Sequence, residues 1–160
     1  MMQQRIPQLR DATAADRDLC FEIKKKAFGN YVDEIWGWEE GVQRRLHDKD
    51  FVPDQCRIVT LNSQNVGLLV ISTEGNSLWI NQIYILPIHQ NRGYGTRIIQ
   101  GVIGEADQVG KTVKLQVLKI NPAKKLYERL GFTVTGTNGP HHVMERALVQ
   151  SVRTSSERNG

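Results

Sequence analysis

The sequence predicts a single mixed α/β (α+β) domain in which helices lie on the faces of a β-sheet. Short apolar runs bounded by turn residues recur along the chain and are typical of strands. Helical apolar periodicity follows the first, fourth and fifth of these runs. The 160 residues, 39% of them hydrophobic, are enough for one core. We therefore expect one domain over residues 1–150 and a flexible tail over residues 151–160, which has few apolar residues.

The first half of the chain combines two helical regions with four strands. Thr13 with Asp16 three residues later is a helix N-cap pattern, and Pro87 ends the fourth strand. The predicted elements are a strand at residues 5–10, a helix from Thr13 to Gly29, a helical region within residues 31–47 interrupted at residues 36–38, a hairpin of residues 57–61 and 66–72, and a strand at residues 77–85.

The second half alternates helices and strands before closing in a pair of strands. An apolar stripe of Ile98, Ile99, Val102, Ile103 and Ala106 predicts a helix over residues 93–109. A strand at residues 112–118 follows. The dipeptide Asn121-Pro122 then starts a helix that stops at Gly131. Residues 132–136 and 143–148 are expected to form an antiparallel pair.

Composition excludes several classes of function. No apolar run approaches the roughly 20 residues of a membrane helix, and the N-terminus has no signal-peptide core, so we expect a cytoplasmic protein without membrane contact. Cys20 and Cys56 are far apart and lack metal-ligand spacing, so no metal site is predicted. The net charge is +4, but the basic residues are interleaved with acidic ones outside Lys24-Lys25-Lys26 and Lys124-Lys125, which argues against nucleic-acid binding.

The segment over residues 83–96 is the most informative in the chain. A hydrophobic strand ends, a short loop turns, and Gly93 and Gly95 open an amphipathic helix. Glycines let a ligand approach the backbone, and the free N–H groups of a helix start favour anions. Arg92 and Arg97 add positive charge. We interpret the loop as a phosphate-binding cradle.

Two nucleotide-binding interpretations of this region fail. A dinucleotide fingerprint needs a third glycine where Ile98 stands. The segment Gly110-Lys111-Thr112 imitates the end of a P-loop, but the required earlier glycine would fall at Glu105. That segment also follows a helix and precedes a strand, the reverse of the order a P-loop needs.

Two motifs in order resemble the GCN5-related N-acetyltransferase (GNAT) superfamily. The segment Gln90-Asn91-Arg92-Gly93-Tyr94-Gly95 matches the pyrophosphate signature Q/R-x-x-G-x-G/A. About thirty residues downstream, residues 126–132 match the family's L-Y-x-x-x-G-F segment. The resemblance covers residues 66–148 well, whereas residues 1–52 share only the order of elements. It implies a twisted, mostly antiparallel sheet, splayed between strands 4 and 5 and flanked by about four helices.

The resemblance implies acetyl-coenzyme A as the cofactor. The pyrophosphate would rest on backbone N–H groups of the loop, and the pantetheine arm would follow the backbone of strand 4. The implied cofactor-binding residues are Ile83, Tyr84, Ile85, Gln90, Asn91, Arg92, Gly93, Tyr94, Gly95, Thr96, Asn121 and Lys124. Asn121 lies six residues before Tyr127 rather than the more frequent seven, and a helix N-cap explains it equally well. Lys124 either approaches the phosphates or belongs to a solvated helix face.

The same resemblance assigns two catalytic groups. The Tyr127 hydroxyl would act as the general acid that protonates the departing thiolate. A backbone N–H near Ile85 would hold the developing oxyanion. The strand positions where some relatives carry a glutamate base hold Trp79, Asn81 and Gln116 here. The general base therefore stays open among Glu34, Glu39, Glu40, His141 and His142.

The acceptor pocket maps to the first two helices and the later strands. Its candidate residues are Tyr31, Trp36, Trp38, Glu39 and His141. Acidic groups beside aromatic faces suit a cationic amine, although two tryptophans that anchor a short helix would look the same.

We therefore expect an acetyl-coenzyme A-dependent N-acetyltransferase that acts on a small-molecule or peptide amine by direct attack in a ternary complex. The alternative is a non-catalytic acyl-coenzyme A-binding or regulatory module of the same fold. Family members often form homodimers, but no feature of this sequence requires one.

Overall fold

The computed structural model describes residues 6–148, in which four α-helices and seven β-strands follow the predicted order. The helices are α1 (Arg17–Trp36), α2 (Glu40–Asp50), α3 (Tyr94–Gln108) and α4 (Lys124–Arg129). The strands are β1 (Gln8–Asp11), β2 (Cys56–Leu61), β3 (Gln64–Glu74), β4 (Ser77–Ile85), β5 (Thr112–Leu118), β6 (Thr133–Asn138) and β7 (His141–Arg146). They form one sheet of order β1-β2-β3-β4-β5-β7-β6, with β4 and β5 parallel. The predicted mixed and mostly antiparallel fold class is confirmed.

The described residues divide into two compact units. The first contains residues 6–71 and Gln82–Ile98, and the second contains Ser72–Asn81 and residues 99–148. Both units lie within the stretch that the sequence predicts as one domain. The predicted tail at residues 151–160 lies outside the described residues.

The first unit is built on the antiparallel strands β1, β2 and β3. Its core joins Ile23 of α1 to Ile58 of β2 and Leu68 of β3, all three fully buried. The predicted hairpin between β2 and β3 is present. Asn62 and Ser63 have φ of 49° and 68°, the left-handed conformations that a two-residue hairpin turn requires.

The junction between α1 and α2 differs from the predicted boundaries. Helix α1 runs through Gly29 to Trp36 rather than ending at the glycine. A Cβ at Gly29 would lie 3.6 Å from the Trp38 ring, an ordinary van der Waals distance, so Gly29 is an interior residue of the helix beside Trp38. The chain turns instead at Gly37, whose φ is +79°. The predicted interruption at residues 36–38 is confirmed.

In the second unit β7 pairs antiparallel with β6, as predicted, and also antiparallel with β5. The apolar stripe of α3 is buried, including Ile99, Val102 and Ala106. Asp107 near the end of α3 forms a salt bridge with Arg146 of β7, in which Asp107 Oδ1 lies 3.2 Å from Arg146 Nη1. At the edge of the sheet every residue of β6 is exposed.

Both cysteines are buried free thiols. Within residues 6–148 no helix is long and apolar enough to cross a membrane. The same described part of the chain holds no group of three or more His, Cys, Asp or Glu side chains arranged to hold a metal ion.

Candidate active site

The end of β4 is fixed from two directions within the first unit. On one side, the Leu86 N–H donates to the Val66 carbonyl at 2.8 Å, which holds β4 against β3. On the other side, Gln90 Nε2 donates to the Ile85 carbonyl at 2.8 Å. The predicted cofactor residue Gln90 therefore uses its side chain to attach the loop to the strand. Ile85 itself is buried.

The glycine loop has the backbone shape of an anion cradle. Asn91 and Gly93 have φ of +62° and +83°, which turns the chain sharply before α3. The first helical bond runs from the Arg97 N–H to the Gly93 carbonyl at 3.1 Å. The amides of residues 94–96 therefore have no partner within the helix, as at every helix start. Such amides, with the helix dipole behind them, favour a phosphate.

Gly95 shows that this cradle has room for a ligand. No atom lies within 4 Å of the position that a Cβ would take at Gly95, and its backbone is helical. The neighbouring Tyr94 side chain is buried, whereas Asn91 and Arg92 are exposed. The loop thus exposes its backbone and the charged Arg92 side chain, which fits the pyrophosphate of a coenzyme A molecule.

Gly67 of β3 is a residue that the sequence analysis missed. A Cβ there would lie 2.4 Å from the Tyr84 carbonyl oxygen and 3.2 Å from Val59 Cβ. Only glycine lets the two backbones approach so closely at this point. A glycine inside a strand pattern is a known signal of close backbone approach, so the sequence did carry a clue.

The parallel ladder between β4 and β5 is short. Its register runs from Ser77–Thr112 to Ile80–Leu115. Strand β4 nevertheless continues to Ile85 and β5 to Leu118. The predicted pantetheine-binding backbone, Ile83 to Ile85, lies beyond the paired stretch.

In the second unit, Tyr127 occupies the middle of α4. Its side chain is 8% exposed and its ring lies edge-on to Phe132, with centroids 5.9 Å apart. Burial raises the pKa of Tyr127 to about 12. The phenol of Tyr127 therefore holds its proton at neutral pH.

The turn before α4 is held by Asn121. Asn121 Oδ1 accepts from the Ala123 N–H at 2.9 Å, and α4 begins at Lys124, two residues later than the Asn-Pro pattern predicts. The Asn121 side-chain oxygen thus stabilises the turn before α4. Lys124 is partly buried and Lys125 is exposed.

The candidate acceptor residues fall into separate groups. Trp38 is anchored: its indole N–H donates to Glu40 Oε2 and its backbone N–H to Asp33 Oδ1, both at 2.8 Å. Its ring also lies 6.1 Å from that of Phe21. Trp36 is 56% exposed. These contacts agree with the interpretation in which Trp38 anchors the start of α2, and the acceptor-pocket role of both tryptophans stays a prediction.

Tyr31 belongs instead to an aromatic row on α1 and β4. Its ring lies 5.6 Å from Phe28, which in turn lies 5.1 Å from Tyr84 of β4. This row connects α1 to the residue that precedes Ile85. The other two candidates lie elsewhere: Glu39 precedes α2, and His141 pairs with Leu118 and Asn138 at the start of β7.

Glu40 is a poor candidate for the general base. It pairs with Lys25 Nζ at 2.9 Å, and hydrogen bonds from Trp38 and Lys25 lower its carboxyl pKa. A carboxylate stabilised in this way takes up a proton less readily. The His142 ring is not stabilised in the way that the Glu40 carboxylate is: its Nδ1 is buried and has no hydrogen-bond partner within the described residues.

Comparisons with known proteins agree with this geometry. The family profile described as "Acetyltransferase (GNAT) domain" matches residues 53–134. A ribosomal protein bS18-alanine N-acetyltransferase of Haemophilus influenzae is 32% identical over 120 residues, which cover 74% of this chain and 76% of that protein.

Solved structures share the fold at low identity. The PaiA N-acetyltransferase of Thermoplasma acidophilum, in complex with coenzyme A, superposes with a TM-score of 0.73 at 14% identity, covering 88% of this chain and 98% of that one. The ribosomal-protein-S18-alanine N-acetyltransferase of Escherichia coli gives a TM-score of 0.67 at 18% identity, covering 88% and 93%. The profile match spans the cradle, β5 and α4, and it confirms the predicted family together with its cofactor, acetyl-coenzyme A: the chain belongs to the GNAT acetyltransferase family.

Proposed function

We propose that the protein transfers an acetyl group from acetyl-coenzyme A to a primary amine by direct attack in a ternary complex. The observation that carries this proposal is the cradle at residues 90–96, where the helix-start amides have no helical partner and the Cβ position of Gly95 is open. Bound there, acetyl-coenzyme A supplies the acetyl group as an activated thioester.

The chain's own residues then have separate tasks. The Ile85 N–H donates to the oxygen on which charge develops. The bonds of the Leu86 N–H and of the Ile85 carbonyl, which fix the neighbouring backbone, support this role. Tyr127 supplies the proton that the departing sulfur takes up, since burial keeps the phenol protonated. Direct attack is favoured because both cysteines are buried, and burial raises both thiol pKa values, that of Cys20 to about 12.

The acceptor class follows from similarity and is tested first with peptides. The Haemophilus influenzae relative is named for an alanine of a ribosomal protein. We therefore infer that an α-amine at a peptide N-terminus is the first acceptor to test, ahead of small amines. The aromatic row of Phe28, Tyr31 and Tyr84 gives the acceptor a non-polar wall at the end of β4.

The test is Gly95→Leu. The backbone at Gly95 is helical and open, so the variant should fold, while its side chain fills the space assigned to the pyrophosphate. Calorimetric titration should show acetyl-coenzyme A binding to the wild type and binding weakened about tenfold or more in the variant. Gly101→Leu, on an exposed and open turn of the same helix, is the matched control and should bind normally.

Equal affinity in the wild type and Gly95→Leu would contradict the assigned cradle. The non-catalytic alternative is separated by a thiol-release assay with an alanine-initiated peptide and with small amines. Saturable binding without acetyl transfer to any of them would favour a binding module over an enzyme.

A further inference from the structure

A cavity of about 50 Å³ lies in the first unit and is not used by the proposed reaction. Its lining residues come from α1, α2 and the residue after it, β2, β3 and one position of β4. Its polar lining consists of Cys20, Lys24, His47, Asp50, Cys56 and Gln82. The volume holds a few water molecules or a small acyl group, since each water needs roughly 10–15 Å³.

Lys24 is one of three consecutive lysines that look alike in sequence. Lys25 Nζ forms a salt bridge with Glu40 Oε2 at 2.9 Å, and this raises the pKa of Lys25. Lys26 is exposed. Lys24 is partly buried and lines the cavity, so the structure separates three residues that the sequence does not.

Burial in this cavity shifts the pKa values of its thiols and of its amine in opposite directions. It raises the pKa of the Cys20 and Cys56 thiols, because the charged thiolate loses solvation. The same loss of solvation lowers the pKa of Lys24, whose charged form is the ammonium. A thioester is attacked by thiolate or by free amine, so burial disfavours both thiols and favours Lys24.

The ionisable groups facing Lys24 come from α1 and α2. The carboxylate of Asp50 opposes burial and raises the pKa of Lys24, but burial is the larger effect. Burial lowers the pKa of His47, whose ring packs against Phe21 and Phe51, and the Lys24 charge lowers this pKa further. His47 Nε2 lies 2.8 Å from the Arg17 carbonyl oxygen, so a neutral His47 donates there. His47 thus stays neutral and adds no second cation to the cavity.

We propose that Lys24 is a site of self-acetylation, at which the chain is modified by its own acetyl donor. The Lys24 amine attacks the thioester carbonyl, an amide bond forms, and the carbon–sulfur bond breaks. One amine proton passes through water to the departing sulfur, which leaves as the free thiol. The neutral amide removes a partly buried charge, and the cavity beside the lysine accommodates the added acetyl group. The proposal rests on the proposed function only for the identity of the donor.

The experiment follows acetylation at each of the three lysines. The full chain is incubated with acetyl-coenzyme A without an acceptor, and the remaining amines are blocked with deuterated acetic anhydride after unfolding. Tandem mass spectrometry of a Glu-C digest then gives the acetylated fraction at Lys24, Lys25 and Lys26 separately. We expect Lys24 to react several-fold faster than Lys25 or Lys26. In urea, where burial is lost, the three rates should become equal.

A second donor separates this proposal from the proposed function. S-acetyl-N-acetylcysteamine carries the same thioester without the nucleotide, so it needs no cradle. A preference for Lys24 with this reagent, retained in Gly95→Leu, supports the site even if acetyl-coenzyme A does not bind. Equal rates at the three lysines of the folded chain would overturn it, as would a preference that survives in urea. Lys25→Arg and Lys26→Arg should leave the Lys24 rate unchanged, and Lys24→Arg should abolish the fast fraction.

Discussion

Two segments carry the proposed catalytic groups, and they differ in the kind of group that they supply. The first is the end of β4 with its glycine loop, and the second runs from β5 to α4. The first is proposed to act through backbone groups, namely the Ile85 N–H and the amides of residues 94–96, which have no partner within the helix. The second places one side chain, Tyr127, on a helix of only six residues. The first segment depends on the absence of a side chain at Gly67, Gly93 and Gly95. The second depends on one hydroxyl group.

This difference decides how each region tolerates change. Where backbone groups form the site, an added side chain shifts the backbone itself. Substitutions there affect both stability and binding. A side-chain site can lose its reactive atom while the ring stays packed. Tyr127 meets this condition, because its contact with Phe132 is made by the ring and not by the hydroxyl.

The largest effect is expected for Gly67→Ala. Its Cβ would lie 2.4 Å from the Tyr84 carbonyl oxygen, which is backbone and cannot move aside. We expect the free energy of unfolding to fall by about 3 kcal/mol, with acetyl-coenzyme A binding weakened in the folded fraction. Urea denaturation and calorimetric titration measure the two quantities.

Gly104→Ala is the control for this change. Gly104 lies in α3 with no atom within 4 Å of a Cβ position. Its alanine variant should gain up to about 1 kcal/mol from helix propensity. If Gly67→Ala is as stable as Gly104→Ala, the close approach of β3 and β4 does not set the shape of the site.

The next effect is expected for Tyr127→Phe. Turnover should fall about 100-fold, while acetyl-coenzyme A affinity and the unfolding midpoint stay unchanged. Because the pKa of Tyr127 is about 12, wild-type kcat should not decline through loss of the phenol proton up to pH 10, where an ordinary tyrosine is half ionised. Steady-state kinetics between pH 7 and pH 10 measure both quantities. Turnover unchanged in Tyr127→Phe would remove the general-acid assignment.

The smallest effect is expected for Gln90→Ala. Gln90 is a positioning residue in the backbone site, and it acts through its 2.8 Å bond to the Ile85 carbonyl. Losing that bond, worth about 1 kcal/mol, should weaken acetyl-coenzyme A binding about fivefold with little loss of stability. Gln108→Ala, at the exposed end of α3, should bind normally. A Gln90→Ala variant that binds as tightly as Gln108→Ala would show that the loop holds its shape without this bond.

Much of the fold could be predicted because its signals are local. The alternating or apolar runs gave β4 and β5 to the residue, and the 3.6-residue stripe gave α3 to within one residue at each end. The end of α1 is predicted wrongly, because two nearby glycines look alike in the sequence. Gly29 keeps a helical backbone and α1 continues to Trp36, whereas Gly37, with a φ of +79°, turns the chain.

The sequence by itself determined the order of elements, the glycine loop and the pairing of two family motifs, because each depends on residues close together in the chain. The tertiary structure alone decided the burial and the partners of residues that look alike in the sequence. It anchored Trp38 and left Trp36 exposed, and it divided three consecutive lysines into a cavity residue, an ion-paired residue and an exposed one. The physical reason is that burial and charge pairing are set by residues far away in the chain, which a local pattern does not contain.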